Sequence, residues 1–318
     1  MPIVFRCVLP LLPLLLASAS LEAQAAPLAD STTATLMRRL TALSADSMEG
    51  RLAGSPGGAR ARAWLIRELT AIGVKPLGAR FEMPFTLRQR TPSPDSIGTN
   101  IIARIPGTTA GGPALVLSAH YDHVGVRNGQ IYNGADDDAS GCVALLAIAE
   151  KLRRQPPAHD VILAFFDAEE GGLQGARAFV ANPPLPLARI AVNVNLDMVA
   201  RQDGGALWVA GTSHTPILRA YAEEAAKGAS VPIRFGHDTK DLKPGDDWTN
   251  SSDHGAFHAK GVPFLYLGVE DHADYHKPGD DADKVDPRFF RGTMEYTAAL
   301  VRALDARLVE IGRARKPE

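Results

Sequence analysis

Five short segments of this chain carry histidine or acidic side chains just after an apolar run. They read SAHYDHVG (residues 118–125), NGADDDASG (133–141), FFDAEEGGLQGA (165–176), VNVNLDMV (192–199) and DYHKPGDD (274–281). Loops that follow the strands of an α/β sheet converge on one edge, so these segments are expected to meet there. Together they supply two histidines, three carboxylates and one additional glutamate, which suits two adjacent divalent ions and a general base.

The histidines come from the first and the last of these segments. His120 and Asp122 form an H-x-D pair after an apolar strand, and residues two apart in an extended chain point to the same side. His120 could therefore bind a metal while Asp122 accepts its other ring N–H, which fixes the tautomer. By the same argument His123 points away and is the weaker ligand candidate. His276 follows Tyr275 in a charged loop, where a surface histidine is the common alternative.

The acidic positions come from the three middle segments. Three consecutive carboxylates at residues 136–138 repel one another, and the dipole of the following helix stabilises each by only about 1 kcal/mol. A bound cation removes the conflict, and a solvated helix N-cap is the alternative. Asp197 ends a buried strand and needs a partner there. Glu169 and Glu170 diverge on extended backbone, so one can bind a metal while the other accepts a proton from water.

Alternating strands and helices must bring these segments together. Apolar runs predict strands, and 3.6-residue repeats predict helices. The predicted strands cover residues 81–85, 98–105, 114–118, 161–166, 192–196 and 264–267, with a further strand around Trp208. The predicted helices cover residues 31–43, 58–72, 140–153, 175–181 and 287–311. This order predicts an α/β fold, a three-layer sandwich whose mixed, largely parallel central sheet is flanked by helices.

Length, charge and the N-terminal residues restrict the class of protein. A chain of 318 residues suits one large domain, and a formal charge of −2 offers no basic surface for nucleic acid. Arg6, the apolar residues 7–17 and the small residues before Ala25 predict a signal peptide over residues 1–25. One catalytic domain is then expected over residues 26–318. The apolar run is too short to span a membrane, so the predicted location is periplasmic or secreted.

At these residues the chain resembles a secreted bacterial di-zinc aminopeptidase of the leucyl-aminopeptidase type. The wider metallopeptidase family also contains glutamate carboxypeptidase-like enzymes and glutaminyl cyclases. The resemblance extends to GRLAGSPG from Gly50, NIIARIPG from Asn100 and SDHGAFHAKGVPFL from Ser252. It implies a zinc exopeptidase-like fold and two Zn²⁺ ions, for which Mn²⁺ or Co²⁺ could substitute.

The resemblance also implies a role for each site residue. The implied metal ligands are Asp137 on both ions, His120 and Asp197 on one ion, and Glu170 and His276 on the other. The implied catalytic residues are Glu169 as general base toward a water shared by the ions, Asp122 orienting His120, and Tyr275 stabilising the tetrahedral intermediate. The resemblance further implies a cis peptide bond between Asp137 and Asp138.

These expectations predict an exported zinc-dependent metallo-aminopeptidase that hydrolyses N-terminal residues from peptides with a free N-terminus. A carboxypeptidase is one alternative, because Arg201 could bind the terminal carboxylate of a substrate. A glutaminyl cyclase-like enzyme is another, although the metal motifs of cyclases drift from the DDASG pattern. A non-catalytic periplasmic binding protein is the third. Glu169 argues against it, because a structural metal site has no use for a neighbouring base.

Overall fold

A computed structural model of the chain describes residues 1–3, 31–88, 97–239, 241–243 and 245–315. The strands are β1 (Lys75–Pro76), β2 (Glu82–Thr86), β3 (Ile97–Ile105), β4 (Ala114–His120), β5 (Val126–Arg127), β6 (Gln130–Ile131), β7 (Asp160–Phe166), β8 (Ile190–Leu196), β9 (Leu207–Ala210), β10 (Ile233–Phe235) and β11 (Phe264–Gly268). The helices are α1 (Ser31–Leu43), α2 (Pro56–Ile72), α3 (Gly141–Arg154), α4 (Gln174–Ala181), α5 (Ile217–Ala226), α6 (His254–His258), α7 (Pro287–Asp305) and α8 (Leu308–Arg313).

One mixed sheet of nine strands forms the middle of the described chain. Its order is β1-β3-β7-β4-β8-β11-β9-β10, with β2 paired to β3, while β5 and β6 form a separate hairpin. The four neighbours β7, β4, β8 and β11 run parallel to one another. Their carboxyl ends therefore lie on the same edge of the sheet, and the loops that follow them meet there.

The alternation of side chains along the central strands builds two cores, one on each face of the sheet. In β4, Leu115 and Leu117 lie in the core that also contains residues of α1, α2, α3 and α7. Ala114 and Val116 point to the opposite face, where Phe179 of α4 and other residues of α4 and α6 cover them. Because both faces are buried, strands such as ALVLSAH are mostly apolar. The predicted three-layer α/β sandwich is confirmed.

The C-terminal helix differs from the prediction of one continuous helix over residues 287–311. The helix α7 ends at Asp305, and the chain changes direction at Arg307, whose φ and ψ are −124° and 12°. This break lets α8 pack against β8 and bury Leu308 and Ile311. Helical periodicity continues on both sides of the break, so the pattern alone does not reveal it.

The predicted division of the chain is not tested by the fold. Most of the predicted signal peptide, residues 4–25, lies outside the described residues, and the single domain over residues 26–318 stays a prediction. No helix among the described residues combines the length and apolarity that crossing a membrane requires.

Candidate metal centre

The candidate site lies at the carboxyl edge of the four parallel strands. His120 is the last residue of β4, Glu169 and Glu170 follow β7, Asp197 directly follows β8, and His276 lies in the loop after β11. These five side chains come from the ends of four different strands. Their meeting point is consequently a product of the sheet order and not of any single segment.

Four side chains at this edge form the first group that could hold a metal ion: His123, Asp137, Glu170 and His276. The Nε2 atom of His276 lies 3.0 Å from Oδ2 of Asp137 and 3.2 Å from Oε2 of Glu170. The Nδ1 atom of His123 lies 2.7 Å from Oε1 of Glu170. That contact lacks hydrogen-bond geometry, and neither of its two buried atoms has a hydrogen-bond partner among the described residues. Atoms arranged in this way suit a shared cation.

A second group lies beside the first and consists of His120, Asp138 and Asp197. The Nε2 atom of His120 lies 3.5 Å from Oδ1 of Asp197 and 3.3 Å from Oδ1 of Asp137. Asp137 therefore presents one carboxylate oxygen to each group. Asp138 is less available, because its oxygens accept backbone N–H groups of His120 and Gly141 at 3.1 and 2.9 Å.

Asp137 is held in a turn whose backbone is irregular. The π-helical turn Ala135–Ser140 has non-helical angles at Asp137 and Asp138, and the peptide bond between these two residues is cis, as the resemblance implied. Two glycines permit the turn. Gly134 has a φ of +54°, and a Cβ there would lie 2.5 Å from the ring of His123. A Cβ on Gly141 would lie 2.5 Å from the carboxylate of Asp138.

Neighbouring charges shift the pKa values of two side chains in the first group, Glu170 and His276. Burial would raise the pKa of Glu170, but its close contacts with His123 and His276 lower it to about 2. Burial would lower the pKa of His276, but its contacts with Asp137 and Glu170 raise it to about 10. Buried carboxylates this close together stay ionised together only beside cations. The oxygen and imidazole donors are those that Zn²⁺ binds, so the residues fit that metal.

The predicted general base and its neighbours line a cleft of about 80 Å³ beside the two groups. Burial and the charge of Asp197 raise the pKa of Glu169 well above its ordinary value, against the opposing effect of His120. Tyr275 is half-buried in the same cleft, and its ring stacks on that of His276 with centroids 4.0 Å apart. Glu169 and Tyr275 therefore face the space where a substrate would meet the ligands.

Asp122 contacts both His120 and Glu169, although its carboxylate is not the nearest acceptor for the histidine. The Nδ1 atom of His120 lies 3.1 Å from the backbone oxygen of Asp122 and 3.6 Å from its carboxylate. The carboxylate oxygen accepts the backbone N–H of Glu169 at 3.0 Å. The side chain thus ties the end of β4 to the loop that carries Glu169.

The expectation that His123 points away from the site was wrong. The strand β4 ends at His120, so the two-residue alternation used for His123 no longer applies there. Sequence reasoning also assigned no role to Asp253, although it lies in the SDH string at Ser252. Its carboxylate is fully buried without a hydrogen-bond partner among the described residues, and its charge contributes to the raised pKa of Glu169.

Comparison with known proteins identifies the family. The sequence pattern of Peptidase family M28 matches residues 100–301, which is more than half of the chain and includes both candidate groups. The chain belongs to this family. The predicted family is therefore confirmed, and with it, at the level of the family, the predicted enzyme class of a zinc-dependent metallopeptidase.

Solved structures share the fold of this M28 chain. The zinc aminopeptidase BSAP from Bacillus subtilis has a TM-score of 0.68 at 16% identity, covering 85% of this chain and 94% of that one. A glutaminyl cyclase from Porphyromonas gingivalis has a TM-score of 0.68 at 19% identity, covering 86% of this chain and 98% of that one. At these identities the likeness concerns the fold, and it leaves the choice between the two activities to the site.

A curated relative changes one prediction. The vacuolar membrane protease of Candida tropicalis is 40% identical over 87 residues, which are 27% of this M28 chain and 9% of the relative. The chain thus spans about a tenth of the length of such relatives. Their names contradict the predicted periplasmic or secreted location. That prediction rested on the apolar residues 7–17, which lie outside the described residues, and a short apolar run does not by itself specify a compartment.

Proposed function

We propose that this M28 chain is an aminopeptidase whose metal centre holds two zinc ions. Asp137 would be shared by both ions, because its two carboxylate oxygens face different groups. His120 and Asp197 would complete one site, and Glu170 and His276 the other. His123 would support the second site, where its ring nitrogen lies 2.7 Å from Glu170. When bound, the two ions would supply polarisation of the peptide carbonyl and a lowered pKa for the attacking water.

The other residues of the cleft would transfer protons and stabilise the negative charge that develops during the reaction. Glu169 would accept a proton from the attacking water and pass it to the leaving amine, a task that its raised pKa suits. The hydroxyl of Tyr275 would donate a hydrogen bond to the carbonyl oxygen as negative charge develops there. Asp122 would keep the loop of Glu169 close to His120 through its contact with the Glu169 backbone.

The observation that carries the choice of an aminopeptidase is the charge of the cleft. Asp271 and Glu169 line it, and no Arg or Lys is among its lining residues in the described part of the chain. Arg201, the candidate partner for a terminal carboxylate, is not free for that task. Its side chain is 7% exposed and donates to Asp203 at 2.8 and 3.0 Å and to Asp274 at 3.2 Å. An acidic cleft favours the free amine of a peptide over its carboxylate.

Activity on a panel of aminoacyl arylamides tests this proposal. We expect hydrolysis of substrates with a free amine and a loss of activity when the same amine is acetylated. Cyclisation of an N-terminal glutaminyl peptide without arylamide hydrolysis would favour a glutaminyl cyclase instead. Cleavage only at the carboxyl end would favour a carboxypeptidase, and absence of all three activities in zinc-loaded protein would contradict an enzymatic role.

Replacing Tyr275 with Phe is expected to lower kcat roughly 10²-fold with little change in KM. The reason is that a hydrogen bond to the developing oxyanion acts mainly in the transition state. Steady-state kinetics of the zinc-loaded variant measure the effect. Tyr221→Phe is a suitable control, because the Tyr221 hydroxyl contacts Glu310 and is not part of the cleft. A kcat within threefold of the unsubstituted enzyme would exclude the role assigned to Tyr275.

A further inference from the structure

Two buried ionic side chains that belong to neither ligand group contact the turn that carries Asp137. Arg51 contacts carbonyl groups of residues 133–137, Asp280 contacts N–H groups of the same residues, and both side chains are fully buried. We propose that Arg51 and Asp280 form a clamp that positions the metal ligands, with Arg51 holding the carbonyl groups of this turn and Asp280 holding its N–H groups. The proposal rests on the metal centre proposed above.

The guanidinium group of Arg51 donates five hydrogen bonds to backbone oxygens. Such a group has five N–H donors in a fixed planar fork. The Nε atom donates to the carbonyl of Tyr121 at 2.8 Å. The four remaining acceptors are the carbonyls of Leu43, Asn133, Gly134 and Asp137. Three of these carbonyls belong to residues 133–137, and Tyr121 directly follows the ligand His120. A lysine could neither match this geometry nor supply five donors.

Asp280 provides the complementary contacts. Its carboxylate accepts the N–H of Asp136 at 3.0 and 3.1 Å and the N–H of Asp137 at 3.1 Å. Its backbone oxygen accepts the N–H of Ala135 at 2.9 Å. Asp280 lies four residues after His276, in the same loop. The clamp thus joins the three segments that carry His120, Asp137 and His276.

The position of these contacts explains why the clamp would matter for metal binding. The Nε2 atoms of His120 and His276 lie 3.3 and 3.0 Å from the two carboxylate oxygens of Asp137. Zinc distances tolerate changes of about 0.2 Å, and outer partners that orient ligands typically affect metal affinity about 10–100-fold. Arg51 also lies before the residues 100–301 that match the family pattern. If Arg51 positions the ligands, the segment around Arg51 is also needed for metal binding, although it precedes the matched residues.

A merely structural role is the alternative, since buried charged groups often only stabilise a fold. Two residues far from the centre provide matched controls. Asp305 also accepts two consecutive backbone N–H groups, those of Ala158 and His159, at 2.7 and 2.9 Å. These groups precede β7, at the opposite edge of the sheet from the ligands. Arg39 is a similarly buried arginine that pairs with Glu68 and Glu150 at 2.7 Å.

The experiment compares Arg51→Lys and Asp280→Asn with the controls Arg39→Lys and Asp305→Asn. Zinc affinity is measured by competition with a chromophoric chelator, and the geometry of the centre by the absorption spectrum of the Co²⁺-loaded protein. We expect the clamp variants to bind zinc about 10–100-fold more weakly and to shift the Co²⁺ spectrum. The controls should lose thermal stability but keep zinc affinity within twofold.

Amide hydrogen exchange of the metal-free protein gives a second readout that needs no bound ion. We expect the amides of Asp136 and Asp137 to exchange slowly in the unsubstituted protein and faster in Asp280→Asn. If Arg51→Lys does not fold, Asp280→Asn and the exchange of the unsubstituted protein decide the question. Unchanged zinc affinity in the clamp variants, or rapid exchange at these amides in the unsubstituted protein, overturns the clamp. Failure of the unsubstituted protein to bind zinc would overturn the proposed function instead.

Discussion

Replacing Glu169 with Gln is expected to lower turnover by roughly 10²–10⁴ while both zinc ions stay bound. Replacing the adjacent Glu170 with Gln is expected to release one ion, and added zinc should restore part of the activity. The two side chains have identical chemistry but different surroundings. Glu170 contacts His123 and His276 at 2.7 and 3.2 Å, as a ligand would. Glu169 lines the cleft and has a raised pKa, as a base would.

Zinc content and kcat of the two variants, measured under the same conditions, separate these roles. Glu223→Gln is the control, because Glu223 is exposed and pairs with Arg219 of the same helix. A loss of zinc in Glu169→Gln with retention in Glu170→Gln would reverse the assignment. If neither substitution changes the rate, the active site lies elsewhere.

Removing zinc with a chelator is expected to abolish activity and destabilise the fold. The centre gathers the buried carboxylates Asp137, Asp138 and Asp197, whose mutual repulsion is opposed by the neighbouring histidines and Arg51 and would be relieved further by a bound cation. At free zinc about 100-fold above its dissociation constant, each independent site contributes about 2.7 kcal/mol to the free energy of unfolding. Thermal or urea unfolding with and without chelator measures this difference.

Elemental analysis of the same samples gives the number of ions, which we expect to be two per chain. A single tightly held ion with no effect of Asp197→Asn on binding would contradict the two-ion centre. An unchanged unfolding transition after complete removal of zinc would show that the fold does not depend on the metal. Asp305→Asn again serves as a control for zinc content, since it removes a buried carboxylate that contacts the backbone before β7 and belongs to neither candidate group.

The sequence alone was sufficient to predict the layers of the fold. Strands such as β4, β7 and β8 are buried on both faces, so most residues in them are apolar. Because such strands run parallel in α/β proteins, the segments that follow them could be expected to share one edge. The structure does bring His120, Glu170, Asp197 and His276 together at that edge, along with Asp137. The cellular location could not be predicted in the same way. A short apolar run led to the prediction of a periplasmic or secreted protein, which the names of the relatives contradict.

Only the tertiary structure decided how the buried charges are partnered. Periodicity indicates which face of a strand or helix is buried, but it applies only within that element. Because β4 ends at His120, periodicity gave the wrong direction for the side chain of His123. The contacts of Arg51 reach from Leu43 to Asp137, and Arg201 is held by Asp274, which lies 73 residues away. Such pairs have no local pattern, because the free energy of a buried charge depends on the groups that folding brings around it. The residues that we propose for the chemistry could be selected from the sequence, whereas the contacts of the side chains that we propose to position them became visible only in the folded chain.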